Sequence, residues 1–197
     1  MSYSKIYLDE LQENLCQGDI FIRFDDTDVI PPVFPKEVGF IVLSYTCDLE
    51  HYEKLPSIYC SPIFNLDNLI PRLIDEQKDI KKTEKIESNL KSIINSILNN
   101  QHKFYFFLTP ISELTNIPMF VHLGRIFTIN ILYIEKIKTN RIAGLSSPWR
   151  EKLGYKIGHI FNRIAIESID SKISNSYVDN NEIICGFLEE KKIAYKK

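Results

Sequence analysis

Within six residues, Thr46, Cys47, Asp48 and His51 bring together a hydroxyl, a thiol, a carboxyl and an imidazole. Those types can build a nucleophile, with His51 taking a proton from Cys47 and Asp48 orienting the imidazole. Thiolate, carboxylate and imidazole also bind zinc. Their spacing matches no regular ligand pattern, so no metal and no cofactor is expected. The structural alternative is that Asp48 bonds to turn amides while Cys47 packs as a small hydrophobe.

A second set is basic. Lys152, Lys156, His159 and Arg163 follow one another at steps of 4, 3 and 4, which lines them along one stripe of a helix. Arg150 lies on the other flank. Such a stripe could track phosphates, one cation to each charge. The alternative is a solvated edge, or ion pairs between Arg150, Arg163 and acidic groups. Tyr105, Phe106 and Phe107 suit either a stacking platform for unpaired bases or a core strand. His102 and His122 stand alone and are expected in core or surface roles.

These residues sit in a chain of 197 residues, 44% hydrophobic and 25% charged, with a formal charge of −2. That is enough chain for one buried core, and residues 1–197 are read as a single domain. The near-neutral balance argues against wholesale coating of nucleic acid, not against a local basic face. The first residues lack the apolar core of a signal peptide, and no apolar run has the roughly 20 residues that span a bilayer. A cytoplasmic protein without a membrane partner is expected, its four cysteines reduced. There is no phosphate-binding glycine loop and no His-Glu-x-x-His, which sets aside ATP-driven and zincin chemistry.

Leu8, Leu11 and Leu15, with Gly18 beyond them, predict a short helix over 6–17. Strands are predicted at 18–24, at 38–43 as a central strand buried on both faces, and at 57–64, where Pro62 implies an edge or bulge. Asp25–Asp28 and Pro31–Pro32 read as a loop. Apolar spacings of three and four over 66–101 predict a helical hairpin inserted between strands, with a charged turn at 75–85. Strands resume at 103–109, 119–123 and, at greater length, 126–137. Ser147-Pro148 reads as a helix start, with Ser147 as the cap and a buried stripe of Trp149, Leu153, Ile157, Ile160, Phe161 and Ile164 running to about 166. The tail, 167–197, is polar apart from Ile183–Leu188.

Gly18-Asp-Ile-Phe21, the apolar strand ending in Leu43-Ser44, and Ile58-Tyr-Cys-Ser-Pro-Ile63 together resemble the barrel core of the PemK-like endoribonuclease toxins. That resemblance implies a small SH3-like barrel that dimerises and cleaves single-stranded RNA. The toxins carry a catalytic arginine just before the hydrophobic strand, where this chain has Lys36. They carry a threonine directly after the Pro-Ile segment, where it has Phe64. Thr46-Cys-Asp-Leu49, together with Leu145-Ser-Ser-Pro-Trp-Arg-Glu-Lys-Leu153 and Phe161-Asn-Arg163, is also similar to a group of uncharacterised bacterial and phage-associated proteins.

The expected fold is α+β: an SH3-like or PemK-like curved antiparallel sheet or barrel (core 18–65 and 103–138), a helical insertion at 66–101 and a packed helix at 147–166. Helices covering a sheet bury both apolar faces. The leading functional expectation is a toxin-like barrel acting on or binding nucleic acid in a bacterial conflict or phage-defence system. Its candidate catalytic residues are Cys47, Asp48 and His51; its candidate phosphate contacts are Arg150, Lys152, Lys156, His159 and Arg163. The alternatives are a non-catalytic module that docks a protein partner, and a cysteine-dependent hydrolase or transferase. A homodimer is a further candidate assembly, and the residues leave open whether the protein is an enzyme at all.

Overall fold

The computed structural model describes residues 5–23, 36–76 and 83–166. The predicted loop at 25–32, most of the charged turn at 75–85, and the tail with its apolar knot lie outside the described residues. The chain divides into two compact units, Met1–Gly158 and His159–Lys197. The first holds the whole described sheet; of the second, only 159–166, the last turns of one helix, are described.

The fold is α+β, with an antiparallel sheet curled into a half-barrel and several helices. Among the described residues, seven strands form it: β1 (Asp19–Ile22), β2 (Glu37–Val42), β3 (Ser57–Asn65), β4 (Tyr105–Leu108), β5 (Met119–His122), β6 (Phe127–Asn130) and β7 (Arg141–Gly144). Their order is β4-β5-β3-β2-β1-β7, with β6 also paired to β3. The helices are α1 (Thr46–Leu49), α2 (Ile70–Asp75), α3 (Thr83–Leu98), α4 (Ile134–Thr139) and α5 (Trp149–Ile166).

The nine-residue β3 organises the sheet. One of its edges pairs with β2; the other carries β6 along Ser57–Cys60 and then β5 along Ile63–Asn65. Pro62 sits in this interior strand rather than at an edge. Leu43 N donates to Tyr59 O, so the alternation of antiparallel pairs makes Phe40 and Pro62 a pair without mutual backbone bonds. The missing N–H therefore faces the other edge, where the ladder breaks between β6 and β5. That break makes room for a proline.

Alternation along β3 sends Ile58, Cys60 and Phe64 to one face. Ile58 and Cys60 join a cluster with Phe21, Phe40, Phe127 and Ile137. Its rings are in direct contact, Phe40 lying 5.0 Å from Phe127 and 5.5 Å from Phe21. Phe64 joins a second cluster with Phe120, Tyr105, Leu69, Leu73 and Ile97. There the predicted insertion covers the sheet as two helices, α2 and α3. Burial of each such side chain contributes about 1.5–3 kcal/mol.

Three local expectations are corrected. Residues 6–17 are not a helix: Tyr7 bridges to Leu145, Leu8 N donates to Gly144 O, and the segment runs beside β7. Pairing with that strand satisfies its backbone better than an isolated helical turn would. The strand predicted over 126–137 ends at Asn130, whose side chain accepts from Leu132 N at 2.9 Å. That cap starts a 3-10 turn and then α4, where Ile134 and Ile137 are buried at helical spacing. Finally, α5 starts on Ser146 rather than under a Ser147 cap, because the amides of Trp149 and Arg150 both donate to Ser146 O.

Candidate functional site

Thr46, Cys47 and Asp48 lie on α1, a single turn anchored by the buried Leu49 and tied to the core by Gln17 N donating to Thr46 Oγ1 at 3.2 Å. Cys47, Asp48 and His51 are all exposed. Cys47 Sγ approaches Asp48 Oδ1 at 3.9 Å, and no hydrogen bond joins Cys47 to His51. Among the described residues, no group of three or more His, Cys, Asp or Glu is placed to hold a metal ion. The corner is reachable by solvent, but its thiol has no imidazole hydrogen-bonded to it.

The basic stripe is used in several ways. Lys152 Nζ sits 4.4 Å above the Trp149 ring. Lys156 turns inward, donating to Tyr105 O at 2.6 Å and Asn100 O at 3.1 Å, and burial lowers its pKa to about 8. Its ammonium satisfies carbonyls beside the edge strand β4 instead of facing solvent. His159 and Arg163 belong to the second unit, and the side chain of Arg163 lies outside the described residues.

Arg150 reaches a buried polar knot. Asp19 Oδ2 accepts from Cys16 N at 2.8 Å and from Arg141 Nη1 at 2.7 Å. Burial pushes the Asp19 carboxyl up, against the opposing pull of Arg141, the Cys16 amide and Arg150. Gln17 Nε2 donates to Leu43 O at 2.8 Å. Arg150 Nε and Nη2 are buried with no hydrogen-bond partner. Thr46 bonds to Gln17 and the charge of Arg150 acts on Cys16 and Asp19, so two motifs far apart in sequence bear on one segment. The contacts made here are those of a structural joint.

A different set of side chains surrounds an open cleft of about 150 Å³, lined by Lys36, Phe64, Asn68, Leu69, Arg72, Tyr105, Phe120, His122 and Arg125. The sheet builds it. Phe64 pairs with Phe120, and Tyr105 pairs with His122, so all four project from one face. Their rings form the wall: Phe64 and Phe120 stack at 5.6 Å, while Tyr105 meets Phe120 at 5.0 Å and His122 at 5.1 Å edge-on. Arg125 is set by a turn in which its N–H donates to His122 O at 2.8 Å. Its guanidinium lies 5.8 Å from the Phe64 ring.

Three cations therefore reach one small space. Arg72 is half-satisfied by Glu76, Nε to Oε1 at 2.9 Å. Neither Lys36 nor Arg125 has a carboxylate partner among the described residues. Lys36 enters β2 with φ +76°, a left-handed conformation uncommon outside glycine and seen where local strain is retained. His122 Nδ1 accepts from Gly124 N at 3.2 Å, which leaves Nε2–H as the donor of a neutral ring. Burial first, then the positive charge of Arg125, lowers the His122 pKa to about 4. At neutral pH the cleft carries Lys36, Arg72 and Arg125 as charges and His122 as an uncharged donor.

No sequence pattern marks this site: His122 reads as isolated and Arg72 and Arg125 fall in no motif, because the lining residues come from separate strands, helices and turns. Compared with known proteins, the chain matches no protein-family model, and no curated protein is significantly similar to it. No helix among the described residues is long and apolar enough to cross a membrane.

Proposed function

We propose that this protein binds single-stranded nucleic acid through the cationic cleft at the Phe64–Phe120 end of the half-barrel. One observation carries the reading: among the described residues, Lys36, Arg72 and Arg125 converge on an open, aromatic-walled cleft, and Glu76 pairs with Arg72 alone. A cavity with surplus positive charge and low-dielectric walls attracts anions. The two positions where the toxin resemblance puts catalytic groups, Lys36 and Phe64, both line this cleft. The antiparallel order β1–β2–β3 is compatible with an SH3-like, PemK-like core. In this reading the barrel keeps the toxins' ligand class, and the bacterial conflict or phage-defence setting follows from the resemblance alone.

Phe64 carries no group able to transfer a proton, so binding without cleavage is expected. Anisotropy of labelled single-stranded RNA and DNA, titrated at stepped salt, tests this. Three phosphate contacts give a slope near −2 in log K against log salt, at about −0.7 per contact. Arg125→Gln should weaken binding to every sequence alike and shallow the slope by about one contact. The absence of binding at low salt would overturn the reading. Degradation of either polymer, with or without divalent metal, would restore the catalytic version.

A further inference from the structure

The cleft gathers more charge than one internal phosphodiester offers. The walls exclude stacking: Phe64, Tyr105 and Phe120 are only 4–6% exposed, so no ring face is free for a base to cover. Internal phosphates of a strand are met by cations spread along a track. Here Lys36, Arg72 and Arg125 share one pocket, with His122 adding a neutral N–H.

We infer that the cleft holds a terminal phosphomonoester, the phosphorylated end of a nucleic-acid strand, with the rest of the strand outside. The inference rests on the nucleic-acid reading and narrows it to strand ends. A phosphomonoester carries close to two negative charges at neutral pH and three acceptor oxygens, whereas a diester carries one charge. Among the described residues, three cations and the Glu76 carboxylate leave a charge of about two, which matches the end group. An open mouth lets the chain leave the pocket on one side, as an end requires and an internal link does not.

The test uses the full-length protein and one short single-stranded sequence in three forms: 5′-phosphate, 3′-phosphate and hydroxyl at both ends. At least one phosphorylated form should bind about tenfold or more tightly than the hydroxyl form, about 1.4 kcal/mol. Arg125→Gln and Lys36→Gln, both at exposed positions and checked for unchanged melting, should each abolish that preference. Equal affinity for all three forms would overturn the inference and leave nucleic-acid binding standing. Binding of none of them would overturn both. A mononucleotide competing as well as the phosphorylated strand would also overturn it, by assigning the pocket to a free small molecule.

Discussion

Lys156 Nζ donates to the backbone oxygen of Tyr105 at 2.6 Å, so a lysine of α5 completes the hydrogen bonding of the edge strand whose first ring walls the cleft. This amine carries its charge at a cost, since burial lowers its pKa from 10.5 to about 8. The unfolded chain therefore binds more protons than the folded one between those values, and stability rises with pH across that window. Below about 8 both states are charged and the full penalty is present. Denaturant midpoints measured from neutral pH to beyond 10 should climb more for the native protein than for Lys156→Met. Parallel curves would refute this account of the burial.

Asp19 and Arg141 form a pair whose side chains are 3% and 8% exposed. Removing the cation strands a buried carboxylate, which costs about 3–5 kcal/mol in comparable cases. Arg141→Met should therefore lower the urea midpoint severely. Without its partner Asp19 titrates still higher, so the deficit should shrink in mild acid, where the carboxyl is protonated, and widen as pH rises. A deficit independent of pH would mean that lost packing, not stranded charge, is responsible.

His122 offers a direct view of the cleft. Its neighbours are Arg125, Arg72 and His102, all of which disfavour a positive ring. Its imidazole proton resonances should titrate with a midpoint near 4 in the free protein. Inorganic phosphate, by neutralising the arginines, should move that midpoint upward. A midpoint untouched by saturating phosphate would argue that no anion enters.

Cys47 distinguishes binding from covalent chemistry. With Asp48 Oδ1 at 3.9 Å and no imidazole bonded to it, its thiol lacks the activating base of a cysteine hydrolase. Alkylation at neutral pH should proceed no faster than for free cysteine, with Cys47→Ser identifying the site by loss of label. Cys16 and Cys60 are buried and should label only on unfolding. Rapid labelling of Cys47 would revive the covalent reading.

The sheet was legible where pattern and environment agree. The apolar run now in β2, the strand predicted at 57–64 and the apolar-spaced α2 and α3 all appear where the residues put them. Failures came where tertiary pairing overrode local pattern. Leu8, Leu11 and Leu15 have helical spacing, yet the chain there lies against β7, a strand whose four residues are too few to announce themselves. Asn130 was hidden inside an apolar run and ended it. The half-barrel curvature came through, whereas the cleft did not, since Lys36, Arg72 and Arg125 share no spacing. Only the positive φ of Lys36 and the Gly124-Arg125 turn mark it, and neither is visible without coordinates.

The interruption opposite Pro62 has an evolutionary consequence. Gly124–Ile126 span the gap between two ladders, so these residues are excused from the register that fixes the neighbouring positions. Replacements there can re-aim the guanidinium of Arg125, or exchange it for another group, without unzipping a strand. Related chains would be free to change what they hold at this corner while inheriting the same sheet.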